Sequence, residues 1–527
     1  MKQPHRPTPL PSKGRGRERG LSASHHITLP TGDIAARLTL VGVVIALHNA
    51  LELPRDAITQ ALGKPLTGLL VVVALGVALA LLLVAIRPQI PGWRWLRSPW
   101  TQRIVLLATL TAAVIGAIQV GKTVAASFGP PSYTNDGTTL DQYAAQQLLL
   151  GHNPYATTNI LDAARYYRQD GQYTTPLRLG HFANHAWTDY PTPQERRAVF
   201  KLRAMGDAAE AVEFESHVSY PAFAILPLVP FVWAGLPSVV LFFALCWLAL
   251  VALIVSAAPR DLRPWVALLA LADVPLLNAT FVGDLDILYI LLLLAAWLWR
   301  DRGWLSTGAF GLALATKQLA WFYIPFYLIL VWRERGWRVA LTRLGGAAAV
   351  FAVINGPFFI NNPHAWLSGV LAPEVDPMFP LGSGLVRLSL AGLLPLAPSV
   401  VYTALELIVW LASIVWYWRL ERPTPELGFA LPTMALFFAW RSLTTYFYFA
   451  ALPAMVLALA RSGPSVGSAA RRVGSGGTST AGNRDGTGHG TAGTSPSLAN
   501  THMASSVDFF RSWRGSSRSP TRRSRRS

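Results

Sequence analysis

Residues 66–86 read LTGLLVVVALGVALALLLVAI, twenty-one positions without one Asp, Glu, Lys or Arg. A helix crossing the hydrocarbon core of a bilayer takes roughly 20 apolar residues, and it satisfies every backbone N–H and C=O within itself. This stretch therefore sets the fold class as helical and membrane-spanning. Apolar runs of similar length lie on either side of it, at 34–52 and 103–125. After a polar interruption at 126–218, residues 219–460 are again almost continuously apolar, broken by short charged turns and one polar stretch at 361–384. The expected architecture is all-α, a polytopic membrane protein with about twelve transmembrane helices.

Composition agrees. The 527 residues are 52% hydrophobic and 14% charged, against roughly 25% charged in an average soluble protein. Soluble enzymes and secreted disulfide scaffolds are excluded, the latter because Cys246 is the single cysteine. A net charge of +18 suggests nucleic acid until it is located. Residues 1–33 carry +4 and residues 461–527 carry +9, so the basicity is terminal, not a binding face, and no nucleic-acid partner is expected. The chain divides into a basic N-terminus (1–33), a membrane domain (34–460) and a Gly/Ser/Arg-rich tail (461–527). Neither terminus has the apolar content to bury a core, and both are expected to be disordered.

Arg-rich stretches at 87–103, 260–263, 300–302, 333–338 and 419–422, together with both termini, are assigned to the cytoplasm. That assignment requires an odd number of crossings between the 126–218 loop and Arg260. The half at 219–237 carries Pro221, Pro227, Pro230 and Pro237, so it is expected to be re-entrant or broken, with a full span following. The same solution applies at 385–418. Five places then face outward: the 126–218 loop, the turns at 282–286, 316–318 and 441–446, and the stretch 361–384. Most residues able to do chemistry fall in them.

Asp136 follows the third apolar run, ahead of an amphipathic helical stretch that stops at Gly151-His152-Asn153-Pro154-Tyr155. A carboxylate there can act as a general base or cap the helix; Asp141 reads as a solvated acid on the same helix. Ser219-Tyr220-Pro221 opens the broken half, as a proline kink if nothing more. Asp284 and Asp286, in Gly283-Asp284-Leu285-Asp286, stand at the mouth of an apolar run, where acids are functional or mark the water boundary. Without a third ligand no metal is expected. Lys317 lies between two short apolar runs, snorkelling or serving a phosphate. Arg441 is placed likewise, as a bidentate phosphate ligand or as a salt-bridge partner of Asp284 or Asp286. No phosphate-cradling glycine loop, nucleophile elbow or dinucleotide fingerprint is present.

In this order, Asp136, Gly151-His152-Asn153-Pro154-Tyr155, Tyr220-Pro221, Gly283 with Asp286, Gly311-Leu312 with Lys317, and Arg441 resemble the multi-spanning GT-C-type glycosyltransferases. The bacterial polyprenol-phosphate-mannose-dependent mannosyltransferase-like family is the nearest in pattern. Ala222 departs from that family's second proline after the tyrosine, and Asp284 from its usual Gln or His. The resemblance implies an inverting transfer of one sugar, mannose by family default, from a polyprenyl-phosphate sugar to a glycolipid, glycan or protein acceptor of the cell envelope. It implies no cofactor and a site on the external face of the plasma membrane. Asp136 would be the base, with Asp141 as second choice. Lys317 and Arg441 would bind the donor phosphate, and Tyr220, Asp284, Asp286 and Tyr155 would position sugar or acceptor. A transporter or lipid flippase is the alternative, but it calls for two similar halves, and no internal repeat is evident. A membrane scaffold recruiting partners through its basic tail is a third reading, and it leaves Asp136, Lys317 and Arg441 unexplained.

Overall fold

A computed structural model describes residues 33–53, 55–131, 133–205 and 211–462. The two termini expected to be disordered fall outside these residues, apart from Asp33, Arg461 and Ser462. The three leading apolar runs are α1 (Asp33–Leu51), α2 (Lys64–Ala85) and α3 (Pro99–Ala126). Pro65 and Pro99 sit in the first turns of α2 and α3, where a missing N–H removes no helical hydrogen bond. The 126–218 loop then folds around α4 (Asp136–Leu149), which stops at Gly151 with φ +81°.

The prolines of 219–237 break that half into short turns, Ala222–Ala224 and Leu226–Leu228, and the five-residue helix Val229–Trp233. The broken backbone is tied to its neighbours: the Ala222 N–H donates to Asn355 Oδ1 at 2.8 Å and the Phe223 N–H to the Ala315 carbonyl at 2.9 Å. A full-length helix, α5 (Val240–Ala257), follows. Next come α6 (Arg263–Ala272) and α7 (Val274–Phe281), bent by 60° where Asp273 caps the second of the pair. After them come α8 (Asp286–Leu298), α9 (Gly303–Leu314), α10 (Ile324–Arg335) and α11 (Trp337–Asn361), then the helix Pro363–Val375 and the five-residue Val386–Leu390, and last α12 (Ser399–Arg419), α13 (Pro425–Ala435) and α14 (Thr445–Ser462).

The architecture is all-α, as the apolar runs predict. Among the described residues six helices, α1, α2, α3, α5, α11 and α12, are long and apolar enough to cross a membrane, or seven if the bent pair is one span. The expectation of about twelve counted apolar runs, and several of these are served by shorter helices such as α8, of 13 residues, and α9 and α10, of 12 each. Prolines, glycines and the polar tip at Lys317 divide those runs.

Burial sorts the helices by position. Ten of the 13 residues of α8 are buried, the pattern of a helix enclosed on all sides. Trp297 on α8 packs against Phe310, Tyr323, Tyr327 and Phe429. By contrast, only four of the 25 residues of α11 and two of the 21 of α12 are buried within the chain, leaving long apolar faces for lipid.

Two residues of strand, β1 (Leu381–Gly382) and β2 (Arg441–Ser442), pair in parallel with Leu381 opposite Arg441. Gly382 has φ +134°, and a Cβ there would lie 2.0 Å from the Ser442 carbonyl oxygen. Only glycine permits that approach.

Candidate active site

A cavity of about 770 Å³ opens where α4, the turn after α7, the tip between α9 and α10, and the β1–β2 clasp meet. Asp136, Asp141, Tyr220, Asp284, Lys317 and Arg441 all line it. These come from five places spread over 305 residues of sequence, which the fold brings together.

Asp136 is the first residue of α4, and the cap is its neighbour: the Asn135 side chain accepts from the Thr138 N–H at 2.8 Å. The Asp136 carboxylate is thus not used as the cap. It accepts from the Thr175 N–H and, at 3.0 Å, from the Gly137 N–H. Burial pushes its pKa above the usual carboxylate range, opposed by the Thr175 hydrogen bonds and the positive charge of Arg441. A carboxylate so raised, still hydrogen-bonded and facing a cavity, is a stronger proton acceptor than an ordinary aspartate.

Asp141 differs from the solvated acid that the sequence suggests. It is 1% exposed, and its Oδ1 has no hydrogen-bond partner. The reason is tertiary: the loop folds back over α4, with Pro176 and Phe214 bridged and the Leu177 N–H donating to Glu213 O at 2.8 Å. Burial lifts the Asp141 pKa to about 8; Lys317 opposes the rise, and the charges of Glu215 and Asp136 add to it.

Glu215 lines the same cavity and was missed in the sequence. Its N–H donates at 3.0 Å to the carbonyl of Thr175, the residue whose own N–H holds Asp136. Burial, then the charge of Asp136, raises its pKa to about 7. The one signal available was an acid four residues ahead of Ser219-Tyr220-Pro221.

Gly283 sets the turn that presents Asp284. Its φ is +92°, a Cβ would stand 2.5 Å from Thr138, and its carbonyl accepts from Thr138 Oγ1 at 2.6 Å. Asp284 Oδ1 accepts from the Asp286 N–H at 3.0 Å. Asp286 lies behind the cavity wall, 0% exposed, with Lys317 Nζ 2.6 Å from its Oδ1. The same ammonium is 3.9 Å from Asp284 and sits over the rings of Tyr220 and Tyr446, at 5.2 and 5.5 Å. Tyr155 is also behind the wall: its hydroxyl donates to the Tyr220 carbonyl at 2.7 Å, which fixes Tyr220 from the back.

Lys317, not Arg441, therefore takes the two acids of the 284–286 turn. Among the described residues no carboxylate lies within ion-pair distance of Arg441, whose only side-chain hydrogen bond is to the Phe379 carbonyl at 3.4 Å. It is the cation of the cavity left to meet a ligand. No group of three or more His, Cys, Asp or Glu among the described residues is arranged to hold a metal ion.

Residues 218–443 match the model of glycosyltransferase family 87. The matched span contains Tyr220, Asp284, Asp286, Lys317 and Arg441 and begins after Asp136, Asp141 and Tyr155. No curated protein and no solved structure matches the chain. With an all-helical fold of membrane type around it, the family match supports a membrane glycosyltransferase of the GT-C type.

Proposed function

We propose that the protein transfers one sugar, with inversion, from a polyprenyl-phosphate carrier to a hydroxyl of an envelope glycolipid, glycan or protein, on the external face of the plasma membrane. Mannose is the family default for the sugar. The observation that carries the reading is that Asp136 and an unpaired Arg441 face one cavity. A sugar phosphate already has a stable leaving group, so general acid catalysis is dispensable, and a single base can deprotonate the attacking hydroxyl. Asp136 takes that proton as the new glycosidic bond forms on the face opposite the departing phosphate. Arg441 receives the charge developing on the phosphate, in the preorganised manner that stabilises such transition states best. Lys317 adds its field from behind while it holds Asp284 and Asp286 in place. Tyr220 and Asp284 border the sugar, and the polyprenyl tail leaves between helices into lipid.

The balance of charge favours a monophosphate donor. Seven carboxyl side chains line the cavity against two cations, and one of those cations is already paired. A diphosphate would bring a second anion with no cation to meet it.

The test is transfer from radiolabelled decaprenyl-phosphate-mannose to an envelope glycolipid fraction by the full chain in nanodiscs. Label should move into a new glycolipid, and Asp136→Asn should slow this about a hundredfold or more at unchanged expression. Full turnover by Asp136→Asn would remove Asp136 as the base. For a transporter, two broken helices in matched halves are expected; a single bent pair occurs among the described residues.

A further inference from the structure

Five carboxylates are fully or almost fully buried inside the described chain, and four of them face a basic side chain: Asp286 faces Lys317 at 2.6 Å, Glu213 faces Arg203 at 2.5 Å, Glu426 faces Arg461 at 2.7 Å, and Asp273 faces His48 at 3.8 Å. Asp141, 1% exposed, is the fifth, and among the described residues no basic side chain is within ion-pair distance of it. Its Oδ1 also lacks a hydrogen bond, although the side chain borders the cavity. An acceptor left unsatisfied in a buried place is a liability to the folded state, and its position on the wall identifies what can satisfy it.

We infer that Asp141 and Glu215 form a hydroxyl-binding subsite for the transferred or accepting sugar, one that takes an uncharged sugar and excludes a carboxylate-bearing one. The inference rests on the reading of the cavity as a glycosyl-transfer site and names the sugar chemistry that it accepts.

The geometry separates this subsite from the base. Asp141 lies five residues beyond Asp136 on α4, about 7.5 Å further along the helix axis, well beyond hydrogen-bond distance. It is therefore placed to meet a different hydroxyl from the one that Asp136 serves. Glu215 arrives from the opposite strand of the loop, fixed through the Thr175 carbonyl at 3.0 Å, and borders the same space. Both groups hold their protons more tightly than ordinary carboxyls, Asp141 to about 8 and Glu215 to about 7, chiefly through burial. Such carboxyls can both donate to and accept from the paired hydroxyls of a sugar. A uronic acid would bring a further negative charge to a wall that already has Asp136 and Asp284 on it, with Arg441 committed to phosphate.

The experiment measures the melting temperature of the full chain in detergent with a series of lipids. Bare decaprenyl phosphate reads the phosphate site, and it should stabilise the wild type but not Arg441→Ala. Decaprenyl phosphate bearing mannose, glucose, galactose or arabinose then reads the sugar subsite. At least one of these should add a further shift equivalent to about tenfold tighter binding or more, and the glucuronic acid conjugate should add none. Asp141→Ala and Glu215→Ala should each reduce the sugar-dependent increment while keeping the bare-lipid shift, which also reports that the variants are folded. Asp141→Asn, which keeps an acceptor oxygen, should restore part of it. If no neutral sugar adds an increment, or if both alanine variants keep it, the subsite is overturned while the phosphate site stands. If bare decaprenyl phosphate does not stabilise the wild type at all, the transfer reading falls and the subsite falls with it.

Discussion

Lys317 shows how far a single side chain can be read from sequence. A lysine flanked by apolar runs announces an unusual environment, but whether it meets a ligand or an acid is decided by the turn that presents Asp284 and Asp286, some 30 residues earlier in the chain. The structure gives the acid: Nζ lies 2.6 Å from Asp286. Removing one member of a buried pair strands the other, so Lys317→Met should lower stability by about 3–5 kcal/mol. Replacing both, with Lys317→Met and Asp286→Leu, should recover most of that loss, as measured by thermal melting in detergent. Asp136 carries a second prediction at this scale. Its raised pKa means that the acidic limb of the rate profile should fall above the ordinary aspartate range near 3.9. Activity should rise with pH through that limb as the base ionises, and Arg441→Ala, which removes a charge that favours ionisation, should move the limb further up. Asp136 and Arg441 were legible because charged residues stand out beside apolar runs. Glu215 and Thr175 were not, because their roles exist only once two distant strands of one loop lie side by side.

Among the elements, the long uniform helices were legible and the broken ones were not. Twenty apolar residues in a row have one solution in lipid, so α1, α2 and α3 fall where the runs predict. Proline and glycine in the later runs leave several solutions open, and tertiary hydrogen bonds, such as that from Ala222 to Asn355, choose among them. The turn at Gly283 is one such joint. Gly283→Ala would force a Cβ against Thr138 at a positive φ, and stability should drop by about 1 kcal/mol or more. Because the same turn aims Asp284 into the cavity, transfer should fall beyond what the melting temperature explains. Thr138→Ala removes the atoms nearest that Cβ together with the hydrogen bond to the Gly283 carbonyl, so a double-mutant cycle of the two variants measures how strongly the two positions are coupled.

Over the whole molecule the sign of the charge inverts between surface and site. The chain carries +18, yet carboxyls outnumber cations in its cavity, and the bulk figure therefore says nothing of the ligand. The raised acids have a consequence for stability. Asp141 and Glu215 keep protons in the folded state, to about 8 and about 7, that they lose near 4 when unfolded. Between those values these two groups bind more protons in the folded chain than in the unfolded one, so the stability they contribute is fully present below about pH 4 and is lost as pH rises towards about 8. Melting temperature should fall across that window, and Asp141→Asn should flatten the slope.

The β1–β2 clasp divides the chain in a topological sense as well. By stitching Leu381 to Arg441 and Gly382 to Ser442, it makes residues 383–440 an excursion that leaves the site and returns to the same two backbone hydrogen-bonding positions. The excursion holds α12, with two of its 21 residues buried, and α13, with nine of its 11 residues buried. Lengthening a closed loop is entropically inexpensive, about 0.6 kcal/mol for each doubling. Sequence drift on the exposed faces of α12 is thus decoupled from the position of Arg441, whereas changes in the buried α13, which leads directly into the clasp, are not.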